Sequence, residues 1–216
     1  MEIEPSLYAA DFGHLSEQVD VLLRTGARVF HFDVGDGHFV PPITMGPIVL
    51  ASISGLVHRM EGVVDCHLMV DAPEQHFAAL AEAGADSVTV HYEACDDPAA
   101  MMRAAREHEL EVGLAFNPET SPEEAAAAAE GFDIVLCMSI NPGYSGQEFM
   151  PETIERLKTL RSLLPAETHV QVDGGIHVDN VREAYEAGAT LLVAGTAIFE
   201  REDLPRAYRR LVQLLA

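Results

Sequence analysis

The sequence is short of positive charge. It carries 13 Lys and Arg against 35 Asp and Glu, a formal net charge of −22. Phosphate backbones and anionic lipid surfaces are held by Lys and Arg, so nucleic acid and membranes are disfavoured as partners. The surplus acid reads as a solvated surface. There is a single lysine, Lys158, inside the helix-like run Glu155-Arg156-Leu157-Lys158-Thr159-Leu160. Schiff-base chemistry needs a lysine in a pocket, which argues against that mechanism. Cysteine is sparse too: Cys66, Cys95 and Cys137, with no CxxC spacing. Cys66 and Cys137 lie in apolar runs, where a free thiol packs as a small hydrophobe in a reducing compartment. No apolar run reaches membrane-spanning length. The start Met1-Glu2-Ile3-Glu4-Pro5 has no basic region leading into an apolar one, so no secretory signal is read there. A cytoplasmic protein is expected.

What is present is a regular alternation. At 216 residues the chain fits one domain, 1–216. Short apolar runs predict strands at 2–8, 28–34, 63–70, 87–92, 111–117, 134–140, 168–173 and 191–195. Longer runs predict helices at 15–25, 47–56, 73–83, 98–107, 122–130, 151–163, 178–187 and 204–215. Several begin with proline, which suits a first helical turn. Ser121-Pro122-Glu123-Glu124 adds an N-cap with acid in the first turn. Gly26, Gly84, Gly131 and Gly188 each close a helix just before an apolar strand. Eight such units in so short a chain predict the α/β class and a single (β/α)8 TIM barrel. An open doubly wound sheet competes, but no Gly-rich dinucleotide turn accompanies the repeat.

Chemistry in such barrels gathers at the C-terminal strand ends. His31 and Asp33 stand two residues apart on the second strand, hence on one face. A His and a carboxylate so placed can grip a metal or a proton. His67 sits late in the third strand and Asp173 ends the seventh. Ser6, Met69 and Met138 are expected at the same mouth. Three glycine-bearing loops lie on that rim: Gly143-Tyr144-Ser145-Gly146, Gly174-Gly175 and Gly195-Thr196. None contains Lys or Arg, which fits phosphate held by backbone N–H groups. Taken alone, His67 reads as a hydrogen-bonded core residue, and Met69 and Met138 as plain core. Asp36 and His38 read as organisers of a turn, Asp11 as a cap, and Asp65 as structural. His91 is open between a supporting and a structural role.

These residues carry a resemblance. Pro5-Ser6, Ala10-Asp11-Phe12, His31-x-Asp33-Val34-x-Asp36-Gly37-His38-Phe39-Val40-Pro41 and His67-Leu68-Met69-Val70 resemble the ribulose-phosphate 3-epimerases. So do Met138-Ser139-x-Asn141-Pro142-Gly143, Val172-Asp173-Gly174-Gly175 and Gly195-Thr196-Ala197-Ile198-Phe199. The resemblance covers nearly the whole chain. It implies one divalent cation (zinc, iron, manganese or cobalt) on His31, Asp33, His67 and Asp173. It implies Asp33 and Asp173 as the acid/base pair and Ser6 as a substrate contact. Met69 and Met138 would line the pocket, and the three rim loops would hold the phosphate. It further implies a sugar-phosphate substrate and a homo-oligomer, dimer or hexamer.

The chemistry agrees. Epimerisation at C3 of a 2-ketose removes a proton next to a carbonyl and returns one to the opposite face. Two acid/base groups on separate strands meet that need, and a Lewis acid stabilises an enediolate. Four positions depart from the family pattern. Ala9 replaces a serine, Gly35 a methionine, and Tyr144 and Ser145 a Phe-Gly pair. Gly35 is expected to open room near the reacting carbons, and Ser145 to restrict a backbone that uses glycine freedom. A ketohexose 6-phosphate such as D-allulose 6-phosphate is therefore the alternative substrate. Two other classes compete. A barrel lyase with an Asp-x-Lys-x-x-Asp site lacks its lysine here, and a dead binding protein would have lost a site residue.

Overall fold

Eight parallel strands form one sheet in the computed structural model, which describes residues 1–215. They are β1 (Glu2–Pro5), β2 (Val29–Gly35), β3 (Val63–Met69), β4 (Ser87–His91), β5 (Glu111–Phe116), β6 (Ile134–Met138), β7 (His169–Asp173) and β8 (Leu191–Ala194). The order β1-β8-β7-β6-β5-β4-β3-β2 runs once around a nearly closed barrel. A parallel bridge between Ser6 and His31 joins the two ends. The eight-unit reading of the sequence is correct.

The helices are α1 (Leu15–Thr25), α2 (Pro47–Arg59), α3 (Phe77–Ala83), α4 (Pro98–Arg106), α5 (Pro122–Ala128), α6 (Thr153–Leu163), α7 (Val181–Glu186), α8 (Thr196–Phe199) and α9 (Leu204–Leu215). Ser121 and Glu124 form a reciprocal capping box on α5. The four repeat glycines adopt φ of 113°, 96°, 84° and 112°, the left-handed region that stops a helix before the next strand. Some boundaries differ from the sequence reading. The first strand stops at Pro5, because Leu7–Ala9 turns into a 3-10 helix. The helix expected from Pro73 begins with a separate 3-10 turn, Pro73–Gln75. The one expected from Val178 starts at Val181, where Asn180 accepts from the His177 N–H through Oδ1. Helix α8 is too short for periodicity to reveal.

The sheet alternates as a barrel must. Outward residues such as Phe30, Phe32, Val64, Leu68, Val88 and Val112 are 0% exposed and pack under the helices. At about 25 cal/mol per Å² of apolar surface, this layer supplies most of the folding drive. The barrel interior is different. Ala115, Leu136, Met138 and Ile140 make a small apolar cluster on one side. The same interior buries the polar groups Glu4, His31, Asp65, His67, Ser87, Thr89 and Gln171.

Candidate active site and metal centre

Strand register assembles the site. The β2/β3 pairing sets Asp33 beside His67 and His31 beside Asp65. The β6/β7 pairing sets Met138 beside Asp173. His31 Nε2 lies 3.4 Å from Asp33 Oδ1 and 4.0 Å from Asp173 Oδ2. His67 Nδ1 lies 3.3 Å and 3.9 Å from the same two oxygens. One donor atom from each of the four residues falls within 4.8 Å of the others. His31 Nε2 is buried and has no hydrogen-bond partner. Leaving a buried polar group unsatisfied costs about 1–3 kcal/mol, and a cation taking the place of a proton on that nitrogen removes the cost. Two imidazoles and two carboxylates are a donor set suited to a borderline divalent ion. The residues therefore fit a divalent metal.

The two carboxyls are pushed apart. Burial, then the neighbouring Asp33 charge, drives Asp173 up to about 7. Burial opposes ionisation of Asp33 as well, but the His31 charge 3.4 Å away and the neighbouring His67 ring hold it below the usual carboxylate range. Burial likewise opposes charging of His31, and the Asp33 carboxylate outweighs it, so His31 is raised well above an ordinary histidine. One carboxyl is thus ionised while the other titrates near neutral pH.

Behind His31 runs a buried chain that sequence reasoning did not assemble. Asp65 Oδ2 lies 3.0 Å from His31 Nδ1, the carboxylate–histidine arrangement that fixes a ligand's ring. Asp65 thus backs the site rather than only the fold. Gln171 Nε2 donates to Asp65 Oδ2 at 2.8 Å and to Glu4 Oε2 at 2.5 Å. Glu4 is fully buried; burial first, then the Asp65 charge, raises it from 4.5 to about 8. Folding therefore binds a proton between those values. The associated stability is complete below pH 4.5 and is lost as pH rises through about 8. Glu4→Gln keeps the protonated shape, so it is expected to flatten the fall in melting temperature from about pH 6 to about pH 9. Thermal melts across that range check it, and parallel curves for both proteins would refute it.

The site opens into a cavity at the rim of the barrel. Asp33, Asp173, Ser6, Met69, Met138, Gly143, Tyr144, Ser145, Gly146, Gly174, Gly175, Gly195 and Thr196 all line it. His67 does not reach the lining; it is 0% exposed. Ser6 Oγ donates to Asp33 Oδ2 at 2.8 Å. Tyr8 also lines the cavity, unforeseen because its segment reads as strand from the sequence. The Gly174 N–H bonds to the Asp173 carboxylate.

Supporting residues fall where the turn chemistry puts them. Asp36 accepts from the N–H groups of His38, Phe39 and Asp71. Asp11 accepts from the Gly13 N–H and caps Phe12–His14. Two expectations are corrected. A Cβ on Gly35 would stand 2.9 Å from Pro42 O, 3.0 Å from Val40 Cγ2 and 3.2 Å from Thr44 Cγ2. Gly35 therefore leaves no free room; the 40–44 segment folds onto it, tied by the Gly35 N–H to Thr44 Oγ1 at 2.7 Å. Ser145 is not strained either. The left-handed backbone of its loop falls on Gly143 and Gly146, at φ 125° and 83°.

Barrel, rim cavity and buried His–Asp cluster define a (β/α)8 protein of the enzyme type, its chemistry gathered at the C-terminal strand ends. Comparison with known proteins gives the particular family. The model of the ribulose-phosphate 3 epimerase family matches residues 2–199. A ribulose-phosphate 3-epimerase of Schizosaccharomyces pombe is 40% identical, covering 94% of this chain and 88% of its own. That of Escherichia coli K12 is 38% identical, covering 93% and 90%. The chain belongs to the ribulose-phosphate 3-epimerase family and is an isomerase. Among solved structures, 3-hexulose-6-phosphate synthase from Salmonella typhimurium aligns with a TM-score of 0.76 at 20% identity, over 100% of this chain and 98% of that one. Orotidine 5'-phosphate decarboxylase from Pyrococcus horikoshii aligns at 0.71 and 15%, over 99% and 98%. Those two share the fold alone. Among the described residues no helix is long and apolar enough to cross a membrane.

Proposed function

We propose that the chain interconverts D-ribulose 5-phosphate and D-xylulose 5-phosphate, with Asp33 and Asp173 as the acid/base pair. The observation that carries this reading is the pair itself. Both carboxyls line one cavity, come from strands far apart around the ring, and differ in ionisation, Asp33 held below the usual carboxylate range and Asp173 raised to about 7. Ionised Asp33 takes the C3 proton from one face, and protonated Asp173 returns one to the other. Interconversion in the reverse direction exchanges the two roles. Ser6 holds the Asp33 oxygen in place. Met69 and Met138, 3% and 1% exposed, keep water from the enediolate. His31, Asp33, His67 and Asp173 would hold a divalent cation (zinc, iron, manganese or cobalt), which when bound supplies Lewis-acid stabilisation of the enediolate charge. Backbone N–H groups of 143–146, Gly175, Gly195 and Thr196 take the phosphate. A sugar phosphate and further copies of this chain, as a dimer or hexamer, are the partners proposed.

The space filled by Val40, Pro42 and Thr44 around Gly35 favours the pentulose over the longer ketohexose 6-phosphate. The test is kcat/KM for D-ribulose 5-phosphate against D-allulose 6-phosphate, with zinc or iron supplied. A preference of about tenfold or more for the pentulose is expected. A preference for the hexulose would keep the chemistry and overturn the substrate.

A further inference from the structure

His67 turns its other nitrogen away from the cavity. Its Nε2 lies 2.8 Å from Nε2 of His91. The two rings stack with centroids 4.9 Å apart, and both are 0% exposed. His91 Nδ1 in turn lies 3.3 Å from Glu93 Oε2. The other Glu93 oxygen accepts from the Asn117 N–H at 2.8 Å and from Thr120 Oγ1 at 2.5 Å. Arg156 holds that partner loop, donating to the carbonyls of Asn117 and Thr120 at 2.7 and 3.1 Å. Phe39 seats the His91 ring, with centroids 4.8 Å apart.

Two imidazole nitrogens at hydrogen-bond distance share one proton, so the chain has two arrangements. In one, His67 Nε2–H donates to His91 Nε2 and His91 Nδ1–H donates to Glu93, which leaves His67 Nδ1 bare. In the other, every donor is reversed. His91 then turns a lone pair on the Glu93 carboxylate, and His67 carries an N–H toward Asp33. We infer that His91 and Glu93 are positioning residues that bias the tautomer of His67 toward one with its Nδ1 lone pair open to the cavity. This rests on the reading of His67 as a metal ligand, because a metal takes the bare nitrogen. Glu93 is the group that opposes the pull of the Asp33 carboxylate, whose Oδ1 lies 3.3 Å from His67 Nδ1. It accepts only, its Oε1 is committed to Asn117 and Thr120, and so Oε2 demands a donor from His91.

Glu93→Gln tests this with little change of shape. The Asn117 and Thr120 donors require the glutamine oxygen on their side. The amide NH2 then faces His91 Nδ1, which must accept, and the whole chain reverses. Nitrogen-15 NMR of the metal-free full chain reads the tautomer directly. With Asp33 pulling a proton toward His67 Nδ1 and Glu93 pulling it away, wild type is expected to carry less proton on His67 Nδ1 than Glu93→Gln, in which the pull of Asp33 is unopposed. The same tautomer balance in both proteins, with both folded by circular dichroism, would overturn the inference. Cobalt(II) titration gives the second reading: Glu93→Gln is expected to bind roughly ten- to hundredfold more weakly, and unchanged affinity counts against the inference. A wild type that takes up no cobalt, zinc or iron sinks the metal reading instead, and the NMR result then decides the tautomer alone.

Discussion

Asp173→Asn is expected to lower kcat by roughly 10²- to 10⁴-fold while leaving the protein folded. Asparagine keeps the shape of the side chain and can still accept the Gly174 N–H, but it can neither give nor take the proton. Asp173 ends β7 and reaches the cavity, with 17% of its side chain exposed, so little packing depends on it. It also sits against the Asp33 carboxylate, and that repulsion helps to push it up to about 7. Removing the charge removes the repulsion. The melting temperature of the metal-free variant is expected to match or exceed that of wild type. Steady-state kinetics and thermal melts check the two halves separately. A clear fall in melting temperature would make Asp173 a structural residue.

Gly175→Ala is expected to cut kcat/KM for the sugar phosphate by about 10²-fold, the cost of misplacing a substrate by about an ångström. Gly175 has φ +62°, and a Cβ there would meet Phe149 N at 2.5 Å, Phe149 Cα at 2.9 Å and Gln147 O at 3.0 Å. All three are backbone atoms, so no side chain can swing aside. The 147–149 segment must move, and it continues directly from the Gly143–Gly146 loop. One methyl group thus disturbs two of the three loops proposed to hold the phosphate. Because phosphate binding orients the reacting carbons, the loss should appear in kcat as well as KM. Kinetics on the purified variant check this, and wild-type kcat/KM would remove these loops from the phosphate site.

Much of this site is legible in the sequence because the barrel repeats. A strand's period of two puts His31 and Asp33 on one face, and a (β/α)8 order puts strand ends on one rim. The cavity lining at Ser6, Met69, Met138 and the glycine loops follows from those two facts. Other features depend on register between strands, which a single sequence does not display. Asp65 backs His31 because β2 and β3 pair at that offset. Glu4 and Gln171 meet because β1, β7 and β8 are neighbours around the ring, although the two residues lie far apart in the chain. The Gly35 departure misleads for a related reason. A missing side chain suggests room, but the 40–44 segment comes from beyond the strand and occupies it. Helix ends at Phe77 and Val181 escape because local turn chemistry competes with the helical period at Pro73 and Asn180.

The most direct test of the two-carboxylate account is proton NMR of the metal-loaded Asp173→Asn variant in D₂O. It would be mixed separately with D-ribulose 5-phosphate and D-xylulose 5-phosphate. The account predicts no interconversion, but steady incorporation of deuterium at C3 of one epimer, the one whose proton faces Asp33. Interconversion near the wild-type rate, or deuterium entering both epimers alike, would contradict it.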